Sequence, residues 1–337
     1  MPNKLSFNKI FSIFLNSKFK NLVFKSYLCA QLNETNSLDS SSQITEKPSL
    51  ITSFLAITKA RLAISVVFST LAGYLLGVDT WNANSFLMLL FLAIGGYCMV
   101  GASNVFNQVI EKDLDALMDR TKNRPLPAGL ISKQNALILG FVLTAVGLAI
   151  LFAVNPKTAM FGAISIFLYV SVYTPLKTVT PLSVFVGAFP GAIPYMLGWV
   201  AATGHFGIEA GTLFIIQFFW QFPHFWAIGW FLYDDYKKAG FFMLPTGERD
   251  KKTALQVILY TIWMILASIV PVFGITGKLF LTKVSGAIVL LLGFWMLFYA
   301  VKLYKEMDAK AARKLMIVSV SYISLVQIIF VLDKFIR

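Results

Sequence analysis

Residues 86–106 read FLMLLFLAIGGYCMVGASNVF, and residues 107–124 continue without a break as NQVIEKDLDALMDRTKNR. The first stretch is long and apolar enough to cross a hydrocarbon layer of about 30 Å as one helix. The second crowds four acids and four bases against the end of that helix. Charge at such a place is expensive and usually functional. Together they predict a membrane-embedded helix with chemistry at one end.

The rest of the chain repeats the apolar pattern. Of its 337 residues, 57% are apolar and 13% charged, with a mean hydropathy of +0.72. That composition excludes an ordinary soluble domain and predicts an all-α polytopic membrane protein. Nine apolar segments stand out, near 62–78, 86–106, 135–154, 158–173, 182–202, 211–232, 254–275, 284–301 and 315–333. Two cysteines, Cys29 and Cys98, give no disulfide framework. The net charge of +13 is a matter of topology. Of the 29 Lys and Arg residues, 24 fall in the N-terminal part and in the connections 107–134, 174–181, 233–253 and 302–314. That asymmetry places the N-terminus and those loops in the cytoplasm. Residues 1–50 differ in kind: they are Lys-, Ser- and Asn-rich, with no acid before Glu34 and no Arg at all. They are expected to form a variable, disordered cytoplasmic tail; a mitochondrial transit peptide would carry arginines. The remainder, 51–337, reads as one transmembrane domain.

If the second span continues as a helix past 106, Asn107, Glu111 and Asp115 fall at i, i+4 and i+8. Each step rotates by about 40°, so the three side chains share a face, and Asp119 extends the row. Asp113 points elsewhere. Oxygen donors in a row suit a hard cation such as Mg²⁺, which commonly bridges carboxylates to a substrate phosphate. Arg120, Lys122 and Arg124 follow as candidate anion binders. The competing reading is a solvated helix end with i,i+4 charge pairs. A second loop shifts the balance. The sixth span ends FFWQFPHFWAIGWFLYDDYKKAGFFMLP, with Asp234 and Asp235 at a helix end on the same face and Lys237 and Lys238 beside them. Two acidic clusters on one membrane face suit a diphosphate held through metal, with the spans enclosing a hydrocarbon tail. The expected substrate is a prenyl diphosphate.

The run NQVIEKDLDALMDRTKNRPLPAG resembles the first Asp-rich motif of the intramembrane prenyltransferases, the UbiA superfamily, with Asn107, Glu111 and Asp115 in the positions of N-x-x-x-D-x-x-x-D. Its continuation, MDRTKNRP at 118–125, resembles the heme-farnesylating branch of that family. So do FLAITKARLAISVVFSTLAGYLLG at 54–77, YTPLKTVTPLSVFVGAFPGAIPYMLGW at 173–199 and PHFWAIGWFLYDDYKKAGFFMLP at 223–245. The resemblance covers about 54–335. It implies nine transmembrane helices around a central cavity, a Mg²⁺ cofactor, farnesyl diphosphate as donor and heme B as acceptor. The implied reaction turns the heme 2-vinyl group into the hydroxyethylfarnesyl group of heme O. The implied setting is the lipid bilayer of a bacterial inner membrane, with the mitochondrial inner membrane as alternative. Heme A synthase or a terminal oxidase assembly factor is the candidate recipient of the product. Four departures are visible: Glu111 stands where Asp is usual, Ala60 and Tyr195 where Pro is common, and Ser183 where Asn is common.

Residue by residue, the metal is expected at Asn107, Glu111, Asp115, Asp234 and Asp235. Catalysis is expected of the first three with Arg120, Arg124, Lys177 and Asp235. Substrate contacts are expected of Lys59, Arg61, Asp119, His224, Tyr236, Lys237 and Lys238. Arg120, Arg124 and Lys177 have a competing role as topological positive charges. His224 either meets heme or satisfies a carbonyl freed by Pro223. Phe218, Phe219, Trp220, Phe225 and Trp226 line a cavity or simply pack. Two rival functions remain: a prenyltransferase of the same fold with a quinone- or chlorophyll-type acceptor, and a multispan transporter. Transporters place ionisable groups near the bilayer midplane, whereas here they gather at helix ends.

Overall fold

Side-chain caps decide where the helices begin. Asn82, Ser132, Asn155, Asp250, Thr282 and Asp308 each accept a hydrogen bond from the backbone N–H three residues on. Each satisfies a donor that the first helical turn would leave unpaired. Ser49 does the same for a short helix, α1 (Leu50–Ile57), which the apolar segments did not announce. The computed structural model describes residues 49–337, so the expected tail lies outside the described residues except for its last two positions.

Nine longer helices follow: α2 (Ala60–Gly77), α3 (Ala83–Ile110), α5 (Lys133–Val154), α6 (Pro156–Phe167), α8 (Ser183–Thr203), α9 (Ile208–Phe231), α11 (Lys251–Ile269), α12 (Lys283–Glu306) and α13 (Ala309–Ile336). Short helices sit between them: α4 (Lys112–Leu117), α7 (Thr174–Leu176) and α10 (Tyr233–Lys238). A π-helical stretch, Leu168–Tyr173, joins α6 to α7. Eight described helical stretches are long and apolar enough to cross a membrane. The sixth expected segment is the 24-residue helix α9, whose buried face carries Gln217, Gln221, Pro223 and His224 and so falls short on hydropathy.

Each long helix packs on the next in sequence, and α13 returns to α2, which closes a ring. Contacts also cross it, chiefly α2 on α8 and α9 on α13, with α3 on α6 as a smaller one. The ring is apolar outside: Phe141 is 65% exposed, Leu291 68% and Phe298 62%. Buried polar side chains, Asn104, Gln108, Gln217, Gln221 and Gln327, lie within it. A soluble fold reverses this, so the surface is built for lipid, and the chain is an integral membrane protein. Inside, Gln327 of α13 donates to Ser69 of α2 at 3.0 Å and to Gln217 of α9 at 3.1 Å, tying three helices together.

The crossing of α2 and α8 depends on glycine. A Cβ on Gly198 would lie 1.9 Å from the Thr70 carbonyl oxygen, and one on Gly73 2.0 Å from that of Tyr195. Small residues let two backbones touch, which is how helices gain packing where lipid supplies no hydrophobic drive. Gly198→Val is therefore expected to destabilise the detergent-purified protein by about 3 kcal/mol or more, the upper end for overpacking. Gly211→Ala meets nothing within 4 Å and should leave thermal unfolding unchanged. Equal melting of the two variants would contradict this packing.

Candidate active site

The expected helix past 106 exists but bends. α3 ends at Ile110, Glu111 stands at the junction with φ −90° and ψ 9°, and α4 resumes at Lys112. The i to i+4 ladder survives the bend. The Glu111 N–H donates to the Asn107 carbonyl at 2.9 Å, and the Asp115 N–H to the Glu111 carbonyl at 2.7 Å. Asn107, Glu111 and Asp115 are accordingly all buried along one line. Asp113 is exposed, as expected.

The row stops there. Met118 is extended, with φ −94° and ψ 133°, so Asp119 leaves the helix. It is half-exposed and pairs with Lys122 at 2.9 Å and with Lys238. Hydrogen bonds from those two ammonium groups pull its carboxyl down to about 2. The Lys238 amine is raised in return, first by its hydrogen bond to Asp119. Lys238→Met should therefore move Asp119 back toward the usual carboxylate range. An Asp119 titration unchanged in that variant would show that Lys122 alone sets it. Arg120 and Arg124, which an unbroken helix would set one turn apart, are instead separated by successive turns over 118–124. Thr121, fully buried, ties those turns down by donating to the Asp115 carbonyl at 2.7 Å. The turn returns Arg124 to the row, where one guanidinium nitrogen meets both Asp115 carboxylate oxygens at 3.1 and 3.0 Å.

Lys177 completes the other half. It enters from the end of α7, sits 4.6 Å from the centre of the Tyr173 ring and reaches Glu111 at 2.8 Å. Burial pushes its amine down, but the Glu111 carboxylate more than offsets that, and the balance lies above the usual lysine value. The π-helical stretch sets this arrangement. Thr174 donates its hydroxyl to the Tyr169 carbonyl at 2.8 Å. Its oxygen is then the acceptor for Asn107 Nδ2 at 3.2 Å. That fixes the amide and leaves Asn107 Oδ1 as a free-facing acceptor.

The second acidic loop lands on the first, as a shared membrane face requires. Asp235 accepts from the backbone N–H groups of Asp119 at 2.8 Å and Arg120 at 3.3 Å. It thus holds the first loop and does not point along the row. Asp234 is mostly exposed and pairs with Arg249 at 3.0 Å. Among the described residues, no three His, Cys, Asp or Glu side chains gather as a metal cluster. Of the five expected metal ligands, Asn107, Glu111 and Asp115 share one line, while Asp234 and Asp235 are engaged by Arg249 and by the backbone of the first loop. Arg61 is exposed at the start of α2. Lys59 caps that helix in a left-handed conformation, with φ 48°. Tyr236 lies under Arg120 at 5.9 Å, and Lys237 is exposed beside it.

Below the charged row, α3 continues on the same face through Ser103 and Met99 at further i−4 steps. Both line a cavity of about 50 Å³ between α2, α3, α6 and α8, with Thr70, Ser165, Ile193 and Leu197. The head-group row and the apolar cavity are therefore one stripe of one helix, about 12 Å from Asn107 to Met99 along its axis. His224, on α9, bonds Ser319 of α13 through Nδ1 at 2.8 Å. It does not serve a carbonyl freed by Pro223. Phe218 and Phe219 pack, the first against Phe185, Phe189 and Phe214, the second against Tyr260 and Trp263. The residues that sequence reasoning missed are Thr174, Thr121 and Ser319: lone hydroxyls in apolar or loop contexts carry no pattern.

Known proteins resemble this chain in both sequence and shape. The model of the UbiA prenyltransferase family matches residues 66–326. A protein of Flavobacterium psychrophilum named protoheme IX farnesyltransferase is 69% identical over 289 residues, covering 86% of this chain and 96% of that one. A solved structure described as digeranylgeranylglyceryl phosphate synthase in membranes superposes with a TM-score of 0.69 at 17% identity, over 84% of this chain and 98% of the other. A UbiA homologue from Archaeoglobus fulgidus, solved with DMAPP and Mg²⁺, gives 0.57 at 16% identity, over 82% and 99%. The transporter reading ends here. The chain belongs to the UbiA prenyltransferase family, in the branch whose members carry the name protoheme IX farnesyltransferase.

Proposed function

We propose that the protein transfers the farnesyl group of farnesyl diphosphate to the 2-vinyl group of heme B, giving heme O, with Mg²⁺ at the Asn107–Glu111–Asp115 row. The observation that carries this reading is the α3 stripe. Oxygen donors stand at the charged end, and the same helix face runs on to a small, mostly apolar cavity at Ser103 and Met99. A diphosphate with a hydrocarbon tail matches that order of chemistry. The relatives named protoheme IX farnesyltransferase supply the acceptor.

The donor set fits a hard cation. Asn107 Oδ1 and two carboxylates are all oxygen, and Mg²⁺ takes one or two carboxylates with the rest of its shell from phosphate and water. When bound there, Mg²⁺ supplies charge neutralisation for the departing pyrophosphate. The chain's own residues do the rest. Lys177 and Arg124, now paired with Glu111 and Asp115, stand within reach of anionic oxygens arriving at the same row. As the allylic C–O bond breaks, pyrophosphate keeps the electron pair. Tyr169, 5.2 Å from Tyr173, offers an aromatic face to the allylic cation. The vinyl π pair of heme forms the new C–C bond. Water adds to the cation left on the porphyrin side chain and loses a proton, which gives the hydroxyethyl group. No protein nucleophile takes part.

The membrane is the bacterial inner membrane, with the charged end in the cytoplasm, as the Lys and Arg distribution favours. Acceptor choice tests the function. Purified protein given radiolabelled farnesyl diphosphate with either heme B or a phenolic quinone precursor should label only the porphyrin. Label on the phenol and none on heme would replace this reading with a quinone-type one.

A further inference from the structure

His224 is buried seven residues before the end of α9, about 10 Å along the axis from the charged end. Its surroundings restrict it in two ways. Trp220 stacks on its ring at 4.5 Å and 18°, and Trp220 is itself fixed because its Nε1 donates to the Ser319 carbonyl at 2.7 Å. The ring therefore has one face covered and little freedom to rotate. Its Nδ1 lies 2.8 Å from Ser319 Oγ.

The proton on that contact can be assigned. Ser319 Oγ also lies 2.7 Å from the Met316 carbonyl oxygen, one turn back in α13. A carbonyl only accepts, so the single hydroxyl proton of Ser319 is committed to Met316. If it pointed to His224 instead, two oxygen lone pairs would face each other at 2.7 Å inside a buried site. Ser319 Oγ is therefore an acceptor toward the imidazole, and Nδ1 carries the hydrogen. The neutral ring then holds its lone pair on Nε2.

We propose that Ser319 is a positioning residue that holds His224 in the Nδ1–H tautomer, presenting Nε2 as a neutral ligand to the iron of the heme acceptor. The heme part rests on the function proposed above. An imidazole whose second nitrogen donates to a fixed acceptor is the usual axial arrangement, and the outer partner tunes ligand orientation and basicity. Ser319 thereby links α13 to acceptor binding with no contact to porphyrin.

Two measurements test this together. In the first, the full-length protein in detergent, labelled with ¹⁵N-histidine and free of heme, is examined by NMR, with His224→Gln to assign the signal. A proton on Nδ1 is expected; a proton on Nε2 would overturn the assignment, whatever the enzyme's activity. In the second, heme B is titrated into wild-type, Ser319→Ala, Ser319→Thr and His224→Gln proteins, read by Soret absorption and low-spin EPR. Histidine ligation is expected in wild type and absent in His224→Gln. Ser319→Ala should bind about tenfold more weakly, the lower end for loss of such a partner, and Ser319→Thr should recover. Equal affinity and spectra in wild type and Ser319→Ala would refute the positioning role. An Nδ1–H tautomer with no heme-iron ligation would leave the tautomer intact and defeat the heme part alone.

Discussion

Asp115→Asn is expected to lower turnover by at least about a hundredfold while the protein remains folded, the scale seen when one preorganised electrostatic partner is removed from a reaction centre. Asn keeps the volume and drops the charge. Asp115 is fully buried, and its two oxygens meet Arg124 at 3.1 and 3.0 Å. Loss of that charge removes a cation ligand and frees Arg124 from its position at once. The half-saturating Mg²⁺ concentration should rise in the same variant. Turnover and Mg²⁺ dependence equal to wild type would mean that the row on α3 does not hold the metal.

Lys177→Met should produce the largest loss of stability. It leaves the buried Glu111 carboxylate without its counter-ion, and breaking a buried pair in this way costs about 3–5 kcal/mol. The double variant Lys177→Met/Glu111→Gln removes the stranded charge and should melt close to wild type, yet stay inactive. Recovery of activity in the double variant would show the pair to be structural only. The pH dependence has a definite sign. The folded-state value of Lys177 is raised above 10.5. Its contribution is therefore fully present below that value and declines as the pH rises through the folded one. The stability gap between wild type and Lys177→Met should stay constant from neutral pH to about 10 and narrow above it.

Much of this architecture was legible in the sequence because the membrane imposes a coarse code. Runs of about twenty apolar residues marked the long helices, and the Lys and Arg distribution placed both charged loops at one end. The contact of Asp235 with the Asp119 and Arg120 amides bears out that shared end. The helical period put Asn107, Glu111 and Asp115 on one line, and the bend at Glu111 did not disturb it.

What escaped was whatever depends on irregular backbone or on contacts distant in sequence. A period of 3.6 residues says nothing of where a helix stops, so Asp119 was placed one turn too far along the row. The turns at 118–124 carry no glycine or proline to announce them before Pro125. Asp234 and Asp235 were both expected at the metal, yet one faces Arg249 and the other the backbone of another loop. The partners of Glu111 and Asp115 came from 66 and 9 residues away. The π-helical stretch that aims Tyr173 under Lys177 has no sequence signature at all.

The most direct measurement is product mass. Purified protein in lipid would receive heme B and farnesyl diphosphate, with Mg²⁺ or with EDTA, and the porphyrins would be weighed by mass spectrometry. A species heavier than heme B by one farnesyl group plus one hydroxyl group, formed with Mg²⁺ and absent with EDTA, is the predicted result. Consumption of farnesyl diphosphate with no change in porphyrin mass, or the same product in EDTA, would contradict the account at its acceptor or at its metal.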